Sequence, residues 1–498
     1  MSTGATPPTA QDSGGHVSTR AGLARRSLTV PALVFMIIAA SAPLTVLAGG
    51  VPTSYGVTGL LGVPVGYLVL GIVLVLFAVG YGAMSAEVHN AGAFFAYITE
   101  GLGVRQGIAG SFLALVSYNA MQIGLYGIFG FAVGSFVTSK TGIDVPWWAA
   151  ALAGFVIVGL LGINKIDMSA KVVAVLVALE FVVVIVVDGL SLVDAPEGID
   201  AQAFAPENFF ANGIGAILAF GIAAFMGFES GAIYSEEVVN PRRSVSRATF
   251  IAVTIIASFY AFSAWALSIG VGTSQIVPRS QELGPDLVFV FLNERGTPLL
   301  ADLANVLFMT SLLAALIAFH NAAARYFFSM GRAGVLPRWL ATSGRHNHAP
   351  VAGSLSQSTL ALVLIAVFAI FGATSEHGPL FPVVTMFTWL TNAGAFGLVF
   401  LLAVTSVAIV AYFRKDPRGY SAFTRLWAPA LAGIGLAVIF VLILLNFDVM
   451  IGAEGPSPLV IIMPAIIIGA GVFGLVWGEY LRRRRPEIFT DLGHADLG

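Results

Sequence analysis

Two carboxylates lie inside long apolar stretches of this chain, where ionisable groups are rare. Glu180 sits in the stretch around 168–193, and Glu229 sits in Gly227-Phe228-Glu229-Ser230-Gly231, within the stretch around 213–235. A charge at membrane depth is costly and marks a functional candidate by default. Burial favours the protonated form of a carboxyl, so either residue could take up and release a proton. The plainer alternative is a protonated carboxyl that only hydrogen-bonds a neighbouring helix.

The segment around Glu229 also interrupts its own helix, and a second interruption, Ala40-Ser41-Ala42-Pro43-Leu44-Thr45, falls in the first apolar stretch. Backbone that leaves a helix inside lipid strands N–H and C=O groups at substantial cost unless they are satisfied. Such interruptions also supply binding chemistry. A half-helix N-terminus presents free N–H groups and a positive dipole end, which suit a carboxylate. Half-helix C-termini and unwound carbonyls suit an ammonium group or a cation. A zwitterion needs both. Pro43 has no N–H to contribute, though its carbonyl remains, and the N–H groups of Thr45, Val46 and Leu47 could still serve.

Other polar residues are less decisive. Asn119 and Gln122 share a helix face at a spacing of three and fit interhelix contact as well as substrate contact. The same two readings stand for Trp389 and Asn392, and for Thr310 and Ser311. Phe220, Phe225 and Phe228 could gate a pocket, with packing as the default. His346 and His348 suit a solvated loop better than a metal site.

The elements that must position these residues are membrane helices. The chain is 57% hydrophobic and only 10% charged, with a mean hydropathy of +0.90. Runs of the ~20 apolar residues needed to cross a bilayer recur almost end to end. Twelve spans are expected, near 30–54, 60–86, 104–136, 146–164, 168–193, 213–235, 246–272, 300–332, 354–373, 380–412, 425–447 and 457–480. With the N-terminus inside and the spans alternating, only Lys140, Arg279 and Arg295 of the 24 basic residues fall outside. That bias obeys the positive-inside rule and predicts that both ends are cytoplasmic.

The net charge of −2 gives no reason to expect a nucleic-acid partner, and the absence of cysteine excludes disulfides, thiol catalysis and thiolate metal sites. Residues 1–24, rich in Ser, Thr, Pro and Gly, read as a disordered cytoplasmic tail. Arg25-Arg26 before an apolar stretch would fit a cleaved signal peptide, but no suitable cleavage site follows and eleven more spans do. Residues 481–498 read as a second cytoplasmic tail. The outer segments after the fifth and seventh spans are acidic (Asp194, Glu197, Asp200 and Glu207; Glu282, Asp286 and Glu294) and read as solvated faces. No nucleophile–base or metal constellation is visible, so no enzyme activity and no cofactor are expected.

The interrupted spans stand five apart. Two blocks of five helices, about 30–193 and 213–412, would enter the membrane from opposite sides and form an inverted repeat, leaving 425–480 as two extra helices within a transporter domain over 25–480. Paired interruptions in corresponding positions point to a carrier that holds its solute at the bilayer midplane.

The sequence GFESGAIYSEEVVNPRRSVSRA, from Gly227 to Ala248, closely resembles a pattern of the amino acid–polyamine–organocation superfamily, and GAFFAYITEGLG (Gly92–Gly103) and NAAARYFFSMGRAGVLP (Asn321–Pro337) agree with it. The resemblance implies an all-α five-plus-five inverted-repeat fold, with an amino acid bound between broken helices 1 and 6. It would place Ser41 to Leu47 and Phe225 to Gly231 around the substrate's backbone groups, hence Ser41, Ala42, Pro43, Thr45, Val46 and Leu47 with Phe225, Gly227, Phe228 and Ser230. Asn119 would fall near a substrate-contacting asparagine, and Phe225 near an aromatic gate.

Two features depart from the pattern. Ser41-Ala42-Pro43-Leu44-Thr45 replaces a glycine-rich break, which leaves room for amines without a carboxylate. Glu180 aligns with a lysine that proton-coupled relatives carry in helix 5, reversing the charge there. The expectation is therefore a secondary transporter of amino acids in a bacterial cytoplasmic membrane. Its partners would be a small-molecule amino acid or amine, membrane lipid and protons, with Glu180 and Glu229 as the titrating groups. A polyamine or monoamine permease and an amino acid exchanger are the alternatives within transport, and a nutrient sensor is the alternative outside it.

Overall fold

A computed structural model describes residues 29–88, 94–164, 170–229, 241–344, 349–452 and 455–494. It is all-helical, with no strand among the described residues. The N-terminal half comprises α1 (Val30–Ala40), α2 (Val51–Thr58), α3 (Val63–Glu87), α4 (Phe94–Leu102), α5 (Val104–Thr141), α6 (Trp147–Asn164) and α7 (Ala170–Val193). After the short α8 (Pro206–Phe209) come α9 (Ile214–Phe225), α10 (Pro241–Val271), α11 (Ile276–Leu283), α12 (Leu287–Glu294) and α13 (Pro298–Arg332). The C-terminal part holds α14 (Val351–Gly372), α15 (Thr388–Lys415), α16 (Ala428–Leu445), α17 (Phe447–Met450), α18 (Leu459–Arg484) and α19 (Pro486–His494).

Ten of the described helices are long and apolar enough to cross a membrane. The first and sixth expected spans are not among them. The first is divided into α1, a π-helical turn over Thr45–Gly50, and α2; the described part of the sixth is only α9. Helices are the default in lipid because they satisfy every backbone group internally. Proline opens two of them, where its missing N–H costs nothing: Pro64 in α3 and Pro298 in α13.

The two segments expected as connections carry structure of their own. The segment after α10 folds into α11 and α12, and α11 packs on α2, where Gln281 Nε2 donates to the Gly56 carbonyl at 3.1 Å. On the other side, α4 lies between α5 and α15. Helix α19 seats Leu492 in an apolar cluster with Phe95, Ile108 and Met330. Residues 1–24, Ser230, His346 and His348 lie outside the described residues.

Close packing relies on small residues, as it must where lipid provides no hydrophobic drive between helices. Helices α3 and α10 are the most extensively packed pair; a Cβ on Gly71 would overlap the Ala257 side chain, and one on Gly82 would meet Ser246. By contrast, α14 and α18 turn much of their surface outward, with Ile370 and Ile461 largely exposed, as lipid-facing helices should.

Candidate functional site

The first interruption begins where Ser41 closes α1. Its N–H and its hydroxyl both donate to the Ile38 carbonyl, at 3.1 and 2.7 Å. Ala42 then takes a left-handed conformation (φ 48°), which turns the chain before the helix resumes at Pro43. A restarted helix leaves N–H groups without intrahelical partners. Here the Leu44 N–H donates to Glu180 Oε2 at 3.1 Å, so a carboxylate from α7 caps the new half-helix from outside, as its dipole favours.

The same Glu180 oxygen accepts the Ser311 hydroxyl from α13 at 3.1 Å, and Thr45 Oγ1 donates to Ser311 Oγ at 3.0 Å. On the other side, the Tyr260 hydroxyl of α10 reaches the Ser41 carbonyl and hydroxyl at 3.1 and 3.0 Å. Three helices are thus tied to the break by polar groups, all buried.

The second interruption follows α9. Met226 N–H donates to the Ala223 carbonyl and Phe228 N–H to that of Phe225, both at 3.2 Å, while Gly227 adopts φ 100°, a value suited to glycine. Glu229 folds back so that Oε2 accepts the Gly227 N–H at 3.0 Å, while Oε1 accepts the Tyr118 hydroxyl of α5 at 2.5 Å. The Tyr81 hydroxyl donates to the Glu229 carbonyl at 3.3 Å. Tyr118 in turn stacks on Tyr326, with ring centroids 5.5 Å apart. Glu180 and Glu229 therefore each stabilise one interruption, through separate sets of partners.

Between the two interruptions lies a cavity of about 60 Å³. Ser41, Ala42, Thr45 and Val46 line it from the first break, and Phe220, Ala223, Ala224 and Met226 from the end of α9. Helices α5, α13 and α15 complete the wall with Met121, Leu125, Ala315, Phe319 and Thr391. At ~10–15 Å³ per water-sized occupant, the space suits a small solute. Of the residues expected around a substrate, Pro43, Leu47, Asn119, Phe225, Gly227 and Phe228 do not line it.

Phe225 instead packs against Tyr67 and Tyr260, at centroid distances of 6.4 and 6.3 Å, and Phe228 meets Phe77 edge-on. Asn119 turns its amide back to the Leu115 carbonyl at 2.6 Å, leaving its buried Oδ1 without a partner. Gln122 hydrogen-bonds Tyr126 and accepts from Gln357 of α14, which is interhelix contact. Trp389 Nε1 donates to the Ile451 carbonyl at 3.0 Å, and Thr310 back-bonds within its own helix.

Sequence reading passed over Asp188. It lies on the buried face of α7, accepts the Ser263 hydroxyl of α10 at 2.8 Å, and leaves its other oxygen unpartnered. Its place near the C-terminal end of an apolar span was the available signal. Several carboxylates of the connecting segments act as clasps. Glu197 accepts both the side chain and the N–H of Ser274, which hold its carboxyl below the usual range, and the Arg279 guanidinium does the same for Glu294. No cluster of three metal-ligating side chains occurs among the described residues.

A family model described as "Amino acid permease" matches residues 33–488. An L-asparagine permease of Salmonella typhimurium is 24% identical over 443 residues, covering 85% of this chain and 82% of that protein. The aromatic amino acid transport protein AroP of Escherichia coli O157:H7 is 22% identical, covering 82% and 87%. The low-affinity putrescine importer PlaP of Escherichia coli K12 is 23% identical, covering 63% and 68%.

Proposed function

The chain belongs to the amino acid permease family, a family of membrane transporters of amino acids and amines, and on that premise we propose that it is a proton-coupled secondary transporter of amino acids working by alternating access. The observation that carries the reading is the cavity walled by both interrupted segments. Residues of both interruptions line the same small space, and paired half-helix ends are the arrangement a zwitterion requires. In this reading the α-carboxylate and α-ammonium of the substrate meet the backbone around Ser41–Val46 and the carbonyl end of α9.

Twelve spans and a five-plus-five inverted repeat are part of the proposal, and the helix contacts support them. If α1–α2 and α9 open the two repeats, each contact in one half should recur in the other. The contact of α1 with α10 is matched by α9 with α3, α5 with α6 by α13 with α14, and α1 with α7 by α9 with α15. Likewise, α5 with α15 is matched by α13 with α7. The self-paired contacts that a two-fold relation demands, α3 with α10, α5 with α13 and α6 with α14, are also present. In this scheme α16 and α18 stand outside the repeat, both termini are cytoplasmic, and the bilayer is the bacterial inner membrane.

Coupling falls to Glu180 first. Its protonation state bears directly on the cap of the half-helix that borders the cavity, because a carboxylate holds the Leu44 N–H and the Ser311 hydroxyl more strongly than a neutral carboxyl does. Glu229 plays the corresponding part at the second interruption. The relatives named for asparagine, aromatic amino acids and putrescine bracket the substrate class. An amino acid is preferred to a diamine because, among the described residues, no acidic side chain lines the cavity to receive a distal ammonium. Counterflow in proteoliposomes tests the reading: labelled amino acid should enter vesicles preloaded with the unlabelled one. Binding without counterflow would identify a sensor instead.

A further inference from the structure

We propose that the substrate is an α-amino acid whose side chain is short and wholly apolar, in the range from alanine to leucine. The inference rests on the transporter reading above and deepens it. Three side-chain hydroxyls reach the cavity, and each has a single proton to donate. The Ser41 hydroxyl donates to the Ile38 carbonyl at 2.7 Å, that of Thr45 to Ser311 Oγ at 3.0 Å, and that of Thr391 to the Phe387 carbonyl at 2.7 Å. Among the described residues the wall therefore presents no charge, and its hydroxyls meet a substrate side chain only as acceptors.

The remaining surface is methyl, thioether and phenyl: Met121, Leu125, Ala223, Ala315, Phe319 and Phe387 among them. A carboxamide oxygen or a carboxylate placed against it would lose its water without a donor to replace it, and a guanidinium or ammonium would meet hydroxyl oxygens but no counter-charge. The walls that limit length are themselves held. Phe319 is buried and packs on Tyr118 at 6.1 Å, and Phe220 belongs to the fully apolar α9, both with little room to withdraw. The close-packed surroundings thus set the side-chain size.

The backbone groups of the two interruptions recognise what all amino acids share, and the cavity wall decides among them. Leucine and asparagine have side chains of similar size but opposite polarity, so their ratio reads the wall chemistry. A hydrophobic pocket discriminates weakly against an added hydroxyl, by about a hundredfold at most, and an unpaired carboxamide should lose at least as much as it.

The experiment is competition against counterflow of labelled L-alanine, L-leucine and L-asparagine by purified protein in proteoliposomes, with L-phenylalanine and putrescine as further competitors. The expected result is that alanine, valine or leucine competes at least tenfold better than asparagine, phenylalanine or putrescine. The variant Leu125→Asn should narrow the leucine-to-asparagine ratio by tenfold or more. If that variant does not fold, the wild-type ratio decides alone. Asparagine or phenylalanine competing as well as leucine would overturn the inference while leaving an amino acid transporter. Counterflow of labelled putrescine with none of any amino acid would overturn the amino acid reading itself and leave an amine carrier.

Discussion

At Ala42 the chain adopts a left-handed turn that an L-residue enters at a cost of about 1–2 kcal/mol. Glycine would relieve that strain and in turn lose unfolded-state entropy worth about 0.4–1 kcal/mol. Ala42→Gly is therefore expected to leave the protein slightly more stable, by about 0.5–1 kcal/mol, in thermal unfolding of the detergent-solubilised protein. A clear loss of stability would mean that the Ala42 methyl contributes more by packing than its backbone costs. Asp188 poses the opposite case, because its one hydrogen bond comes from Ser263. Ser263→Ala should destabilise by about 1–3 kcal/mol, since it leaves a buried carboxyl with no partner at all. Combining it with Asp188→Leu should recover most of that loss, because removing both partners is far cheaper than removing one.

The two interruptions and the helices around them belong to the element scale. Helices α3 and α10 approach closely at Gly71 and Ala257, so Gly71→Leu should force them apart and destabilise by about 1–3 kcal/mol. Thermal unfolding compared with a lipid-facing control such as Ile370→Leu would read this. A Gly71→Leu protein as stable as the control would mean that the helix pair tolerates separation. The existence and order of the long helices were legible in hydropathy, because a span needs length and apolarity and little else. The interruptions were legible too, since Pro43 and Gly227 punctuate otherwise uniform runs. The lining of the cavity was not. Helix α9 is apolar all round, so its sequence has no polar face to say that Phe220 faces the cavity and Phe225 faces Tyr67 and Tyr260. Nor could spacing show that Glu180 would cap Leu44, a residue 136 positions away. Helices α11 and α12 escaped notice because they are short and their segment carries the charges of a loop.

Over the whole molecule, the recurrence of helix contacts between the two halves accounts for several features at once. In the proposed inverted repeat, a two-fold relation within the membrane would place the interrupted helices opposite each other, with residues of both lining one shared cavity. It also explains why residues from α5, α13 and α15 complete the wall, because these helices surround the interrupted pair from both repeats. Rocking of the interrupted helices against that surround would open the cavity to each side in turn, and the Glu180 contacts to Leu44 and Ser311 lie across the boundary that must move. A proton on Glu180 would weaken that tie. The most direct test compares wild type with Glu180→Gln for uptake of amino acid into proteoliposomes under an imposed inward pH gradient. The account predicts that the gradient accelerates uptake by wild type and has no effect on the variant, while counterflow at equal pH persists in both. Gradient-driven uptake undiminished in Glu180→Gln would contradict it.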